Sequence, residues 1–175
     1  MIILRKKAAP IPSSSLIPNV IFEFVGITIN QGLAANVTNG SGLTPPTPSL
    51  TGVHALYSAS NGVRSALHNN IFPRTLLFTL PNVYWVSGMA FWQATGTESS
   101  SGLNSVTLQY SLDNFSWITI PNSPSSLPLG STTVASSSLS YSWAPVQARF
   151  IRFLVNSVWS GGRIALLEVQ FSGYL

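Results

Sequence analysis

The chain has 175 residues, no cysteine, and only 7% charged residues, where an ordinary globular protein has about a quarter. A hydrophobic content of 45% excludes intrinsic disorder for most of it, and the length suits one domain with little left for a second. Three of the eight basic residues are Arg5, Lys6 and Lys7, so five bases and four acids remain in residues 8–175, a net +1 that cannot furnish a phosphate-binding surface, and no nucleic-acid partner is expected.

No apolar run approaches the ~18 residues of a membrane span, because Glu23 interrupts residues 20–29, and a soluble chain is expected. Ile2, Ile3 and Leu4 precede the basic triplet rather than follow it, so no export signal is read there. The absence of cysteine leaves the redox compartment open.

Residues 1–18 carry Pro10, Pro12, Pro18 and three consecutive serines, which predicts an extended basic arm without helix or regular sheet pairing. Ile2, Ile3, Leu4 and Ile11 would be exposed on a free tail, so the arm is expected to dock on a partner. A sandwich domain over residues 19–175 should follow.

Residues 20–25 and 27–29 are rich in β-branched and aromatic residues and read as strands. Residues 31–52 hold Asn39-Gly40-Ser41-Gly42 and three prolines, a connection long enough to suggest a functional or partner-covered loop. Residues 76–80 and 83–92 read as two strands parted by Pro81-Asn82. Val106, Leu108 and Tyr110 alternate with polar residues, then Asp113-Asn114 forms the turn of a hairpin returning through Trp117 to Ile120. Leu139, Tyr141 and Trp143 alternate with serines, and residues 149–156 and 164–172 complete the series, the last setting Leu167, Val169 and Phe171 opposite Leu166, Glu168 and Gln170. No stretch holds a helical period beyond about two turns. The expected fold is all-β, an antiparallel jelly-roll β-sandwich of about eight strands.

Two segments carry a family resemblance. The run Leu108-Gln109-Tyr110-Ser111-Leu112-Asp113-Asn114-Phe115-Ser116-Trp117 is similar to the hairpin of discoidin domains, also called coagulation factor 5/8 type C domains, and of related galactose-binding-like modules. Ala148-Arg149-Phe150-Ile151-Arg152, followed by Gly162-Arg163-Ile164 and Leu167-Glu168-Val169-Gln170-Phe171, resembles that family's closing strand pair. The resemblance runs from about residue 83 to the end and weakens before it. It implies an eight-stranded jelly roll that binds glycans, lipid headgroups or proteins through loops at one end, usually without catalysis. The acidic segment that supplies calcium ligands in many members would fall near residues 58–70, where no Asp or Glu occurs; backbone carbonyls with Asn61 could form at best a weak site, so no cofactor is expected.

The four carboxylates are Glu23, Glu98, Asp113 and Glu168. Asp113 reads as a turn residue and Glu168 as a strand partner for an arginine, Arg152 or Arg163, which leaves no evident acid pair for glycoside hydrolysis. His54 and His68 are too few for zinc without cysteine. Sugar recognition needs an aromatic face beside planar polar groups, and three segments offer them. Asn156, Trp159 and Arg163 lie around the loop between the last two strands; Trp92, Gln93 and Glu98 lie at a strand end; His54, Tyr57, Arg64, His68 and Asn69 form the third. Trp117 and Trp143 read as core, and core burial competes with ligand contact for Trp92.

Forty serines and threonines leave polar, uncharged faces that pack against neighbours without burying charge. With the arm, this composition points first to a non-catalytic structural component of a virion, a phage capsid, tail or baseplate, whose loops bind other subunits of the particle or a cell-surface glycan. The alternative is a free-standing carbohydrate-binding module, and a small glycoside hydrolase stands a distant third.

Overall fold

A computed structural model describes residues 12–175; the expectations for Ile2, Ile3, Leu4, Arg5, Lys6, Lys7, Pro10 and Ile11 lie outside the described residues. The strands are β1 (Ser15–Leu16), β2 (Ile21–Val25), β3 (Ile29–Gly32), β4 (Val53–His54), β5 (Val63–Ser65), β6 (Arg74–Gln93), β7 (Leu103–Ser111), β8 (Ile118–Thr119), β9 (Ser136–Ser137), β10 (Leu139–Val158) and β11 (Ala165–Tyr174). Short 3-10 turns occupy Ala34–Val37 and Gly96–Ser101. All pairings are antiparallel.

The sandwich is built on β6 and β10, each 20 residues long. The pairs predicted on either side of Pro81-Asn82, and over residues 138–143 and 149–156, are thus single strands that cross from one layer to the other. The first half of β6 pairs with β2 and with the second half of β10, which β7 and β8 extend. Its second half pairs with β11 and the first half of β10, and β5, β3 and β1 lie beyond β11. The β6–β10 ladder breaks between Ser142 and Val146 and between Ala148 and Phe150, and the proline of each strand lies within a break: Pro145 in the first, Pro81 opposite the second. A proline has no N–H to give a ladder, so it is tolerated where pairing is already interrupted.

Between the layers, Phe78 and Phe153 from one side meet Phe171 from the other, with Phe78 and Phe171 at 5.2 Å edge to face and Phe153 and Phe171 at 6.4 Å. Val86, Leu108, Ile151 and Val169 fill the same core. Trp143 is buried as expected, and its indole N–H donates to the Val86 carbonyl at 3.1 Å. The arm ends earlier than residue 18: β1 pairs with Gly173 and Ser172, and Ile17 is buried, its N–H donating to Phe171 at 2.9 Å.

β11 has no wet face. A bulge between Leu166 and Glu168 turns Leu166 into the main core with Val169 and Phe171 and sends Leu167 to the outer side, where it packs with Trp92, Ala90 and Leu43. The covering layer is the chain's own long connection. Thr38 accepts from the Gln170 amide at 2.9 Å, and Gly40 N–H donates to Glu168 Oε1 at 3.0 Å. Glu168 therefore has no arginine partner: it is fully buried, also accepts from Gln170, and leaves Oε2 unpartnered. Arg152 instead donates to Gln109 at 2.8 Å.

Burial pushes the Glu168 carboxyl up to about 7, opposed in part by the hydrogen bonds from Gln170 and Gly40. The folded chain thus holds this proton more tightly than the unfolded chain does. The residue's stabilising contribution is complete below the ordinary value of 4.5 and is lost as pH rises through about 7. His54 and His68, whose basicity is lowered first by desolvation, act in the opposite sense below their ordinary 6.5, so the variant difference is the informative quantity. Urea unfolding of Glu168→Gln should gain on the native chain between about pH 5 and pH 8, on the order of 2–3 kcal/mol. Phe171→Ala should cost about 3–5 kcal/mol in the same measurement, because it opens a cavity where both layers meet.

Candidate functional site

One end of the sandwich gathers loops from distant parts of the sequence, held together through their backbones. Ala66 N–H donates to Thr28 and Ser65 N–H to Ile164, at 2.8 and 2.9 Å. His68 N–H reaches Gly162 at 2.8 Å, Trp159 N–H reaches Gly102 at 3.2 Å, and Ser160 N–H reaches Ser100 at 2.7 Å. The segments around Thr28, Arg64, His68, Glu98 and Trp159 therefore form one surface.

Its charged centre is the pair Arg64–Glu98, the only ion pair among the described residues. Arg64 rises from β5; Glu98 sits in the first turn of Gly96–Ser101. Arg64 gives Nη1 to Glu98 and Nη2 to Asn30 Oδ1 at 2.9 Å, and its Nε has no partner. Both side chains are mostly covered, at 19% and 9% exposure, so water screens the pair less than it would on an open surface. Tyr57 lies close by, its hydroxyl donating to Gln31 at 3.4 Å. Burial, reinforced by the Glu98 charge and opposed by Arg64, pushes this phenol up to about 12. Tyr57 is thus a neutral donor and acceptor at any physiological pH.

Trp159 is 41% exposed on the backbone of residues 100–102. A large apolar ring left in water at a loop tip, beside polar groups, is the pattern expected of a contact residue. Arg163 closes the same loop, half-buried, with Nε lacking a partner.

Of the residues singled out from the sequence, Arg64, Glu98, His68, Trp159 and Arg163 share this end. His68 is turned inward: it is 5% exposed, packs edge-on against Phe72 at 4.9 Å, and neither ring nitrogen has a partner. Trp92 is not at the surface at all. It is fully buried under the 31–52 connection and gives its indole N–H to Gly52 at 3.1 Å, so the core reading holds. The Gln93 amide is consumed by Leu103 and Pro128 carbonyls and the Leu103 and Ala94 N–H groups. Asn156 is exposed near the end of β10 and donates to Thr107 at 3.1 Å, on the face of the other layer. His54 is fully buried. Asn61 spends its amide on Ser58 N–H and the Leu56 carbonyl, at 2.8 and 3.0 Å. Sequence reasoning does not find Asn30 and Gln31, since uncharged side chains within the short strand β3 give no signal of contact with Arg64 or Tyr57.

The expected core role of Trp117 is also corrected. It is only half-buried, because the hairpin from β7 to β8 lays it on the outside of the sheet, where the Arg152 guanidinium sits 4.3 Å from its ring centroid. The turn itself is as expected: Asp113 Oδ1 accepts from Phe115 and Ser116 N–H, both at 2.8 Å, which holds its carboxyl well below the usual carboxylate range.

These two layers with converging loops form an antiparallel β-sandwich, the fold class expected from the sequence. No family model and no curated protein matches the sequence. Solved structures do match in fold. The Clostridium perfringens module CpGH89CBM32-5, in complex with GalNAc-β-1,3-galactose, aligns with a TM-score of 0.65 at 14% identity over 90% of this chain and 99% of its own. CBM32-1 from a family 31 glycoside hydrolase of C. perfringens gives 0.61 at 11% identity, covering 91% and 96%. The family 32 module of C. perfringens NanJ, in complex with galactose, gives 0.59 at 13% identity, covering 91% and 99%. These neighbours are carbohydrate-binding modules, and at 11–14% identity the likeness is one of fold; none of them is a virion component.

Replacing Glu98 by Gln leaves the Arg64 guanidinium covered and uncompensated, which should destabilise the chain by about 1–3 kcal/mol in denaturant titration. The double variant Arg64→Met with Glu98→Gln should recover part of that loss.

Proposed function

We propose that this chain is a non-catalytic carbohydrate-binding module that takes a glycan at the loop end through Trp159, Arg163 and the Arg64–Glu98 pair. The observation that carries the reading is the exposed Trp159 ring on the same loop surface as the part-covered Arg64–Glu98 pair. A pyranose has an apolar C–H side, which packs on an indole face, and hydroxyls at its rim, which accept from guanidinium and donate to carboxylate. Arg64 is already held by Glu98 and Asn30, so its geometry is set before a ligand arrives and little rotamer freedom remains to be lost.

No acid–base machinery competes with this role among the described residues. Glu98 is tied to Arg64, Glu168 is buried beneath the same connection that covers Trp92, and Asp113 is bound into its turn. A glycosidase needs two carboxyl groups flanking one bond, and this end offers one, already paired. The glycans bound by the structural neighbours, galactose and GalNAc-β-1,3-galactose, are the first probes to use.

Glycan-array binding followed by calorimetry should find a saccharide ligand. Trp159→Ala combined with Arg163→Ala should weaken it at least tenfold with little change in melting temperature. Undiminished binding in that double variant would refute the placement, and silence across the array would remove the function.

A further inference from the structure

A second concave surface lies away from the loop end, on the outer face of the layer built from β2, β6, β10 and β7. Register places Glu23 beside Leu77, Leu77 beside Arg152, Arg152 beside Gln109, and Gln109 beside Thr119. Directly paired residues project to the same face, so these five side chains form one row across five strands. Half of the row is internally satisfied: Arg152 Nε donates to Gln109 Oε1 at 2.8 Å, and Gln109 Nε2 donates to Thr119 Oγ1 at 3.3 Å. The other half is not. Glu23 is exposed and makes no ion pair among the described residues, although a guanidinium stands in the same row.

The reason is the strand between them. Glu23 and Arg152 are two strands apart, about 10 Å from backbone to backbone, with Leu77 as the floor. Over this floor lies an open cleft of about 280 Å³, whose lining includes Glu23, Thr75, Leu77, Asn114, Trp117 and Arg152. Leu77 is 6% exposed although it points outward, so its neighbours wall it in. Trp117 and the Arg152 guanidinium, 4.3 Å apart, make one side of the cleft; Glu23 makes the other, and Asn114 adds an amide from the hairpin turn.

We propose that this cleft is a second saccharide site, specific for a neutral pyranose unit, separate from the loop end and built from Glu23, Leu77, Asn114, Trp117 and Arg152. The size is near the low end of the ~300–1,000 Å³ usual for small-molecule sites, which suits one ring. The apolar floor and the indole–guanidinium wall match the C–H side of a sugar. Glu23 accepts from hydroxyls on one edge and Arg152 donates to hydroxyls on the other, each as a charge-assisted bond. The two charges cancel, so a neutral ligand is favoured: a carboxylated sugar would meet Glu23 and an amino sugar would meet Arg152.

Two-dimensional NMR of the isotope-labelled chain reads the two sites separately, through the indole N–H signals of Trp117 and Trp159. Titration with galactose, N-acetylgalactosamine, glucose and mannose should move the Trp117 signal for at least one sugar. Glu23→Ala and Arg152→Gln should each weaken that response at least fivefold while the melting temperature confirms folding. Glucuronate should bind there more weakly than glucose. No response at Trp117 from any neutral sugar overturns the proposal, as does a response that survives both substitutions; tighter binding of glucuronate than of glucose overturns the neutral specificity. A response at Trp117 with none at Trp159 would sustain this site and refute the loop-end reading, and the reverse would do the opposite.

Discussion

The pairing of two 20-residue strands, β6 with β10, is the constraint from which the molecule follows. Each strand serves both layers, so the two sheets cannot shift independently: where β6 and β10 bend, the layers are fixed face to face. The bend is written in proline. Pro81 and Pro145 remove ladder donors at the places where the register slips, and continuous pairing resumes on either side. The aromatic cluster of Phe78, Phe153 and Phe171 then fills the gap that this folding-over creates. Loops that leave the strand ends are thereby delivered to one surface, and an outer face carrying a shallow cleft is left between β2 and β8.

Against this frame, the scarcity of charge becomes a set of separate commitments. Each of the four carboxylates is held in a different way. Asp113 is bound by backbone donors in a turn, Glu168 is buried beneath the chain's own cover, and Glu98 holds a cation. Glu23 is exposed and makes no ion pair among the described residues, across Leu77 from Arg152. In a chain with so few ionisable groups, an acid and a guanidinium left apart in one cleft contrast with the close Arg64–Glu98 pair. The first arrangement keeps both hydrogen-bonding edges open; the second fixes a rigid polar surface.

Alternation made the fold legible where strands have one wet face. The Leu139, Tyr141, Trp143 series and the Asp113 turn could be read directly, because period and turn chemistry are local. The same logic failed for β11, whose sequence alternates but whose polar residues, Glu168 and Gln170, are covered by residues 38–40 from far away in the chain. It failed for Trp117 as well: a tryptophan next to a hairpin suggests core, and only the cross-strand neighbour Arg152 shows that it lies outside. Pro81 looked like a strand boundary because a local reading cannot distinguish a break in pairing from a break in the chain's direction. The loop end was legible in Arg64, Glu98, Trp159 and Arg163 as residue types, but the backbone bonds that unite them join positions more than 50 residues apart, such as Ser65 with Ile164.

The two surfaces are linked through β10. Arg152 lies within the strand and Trp159 just beyond its end, seven positions on, which at about 3.3 Å per residue separates them by roughly 20 Å. A single sugar ring is too small to span both surfaces. A branched or densely displayed glycan could present units to both, and a second contact would then form at the effective concentration set by the glycan's own geometry rather than by the solution. Were both surfaces to take saccharides, their fixed spacing along one strand would select for how the saccharides are arrayed as much as for which saccharide is present.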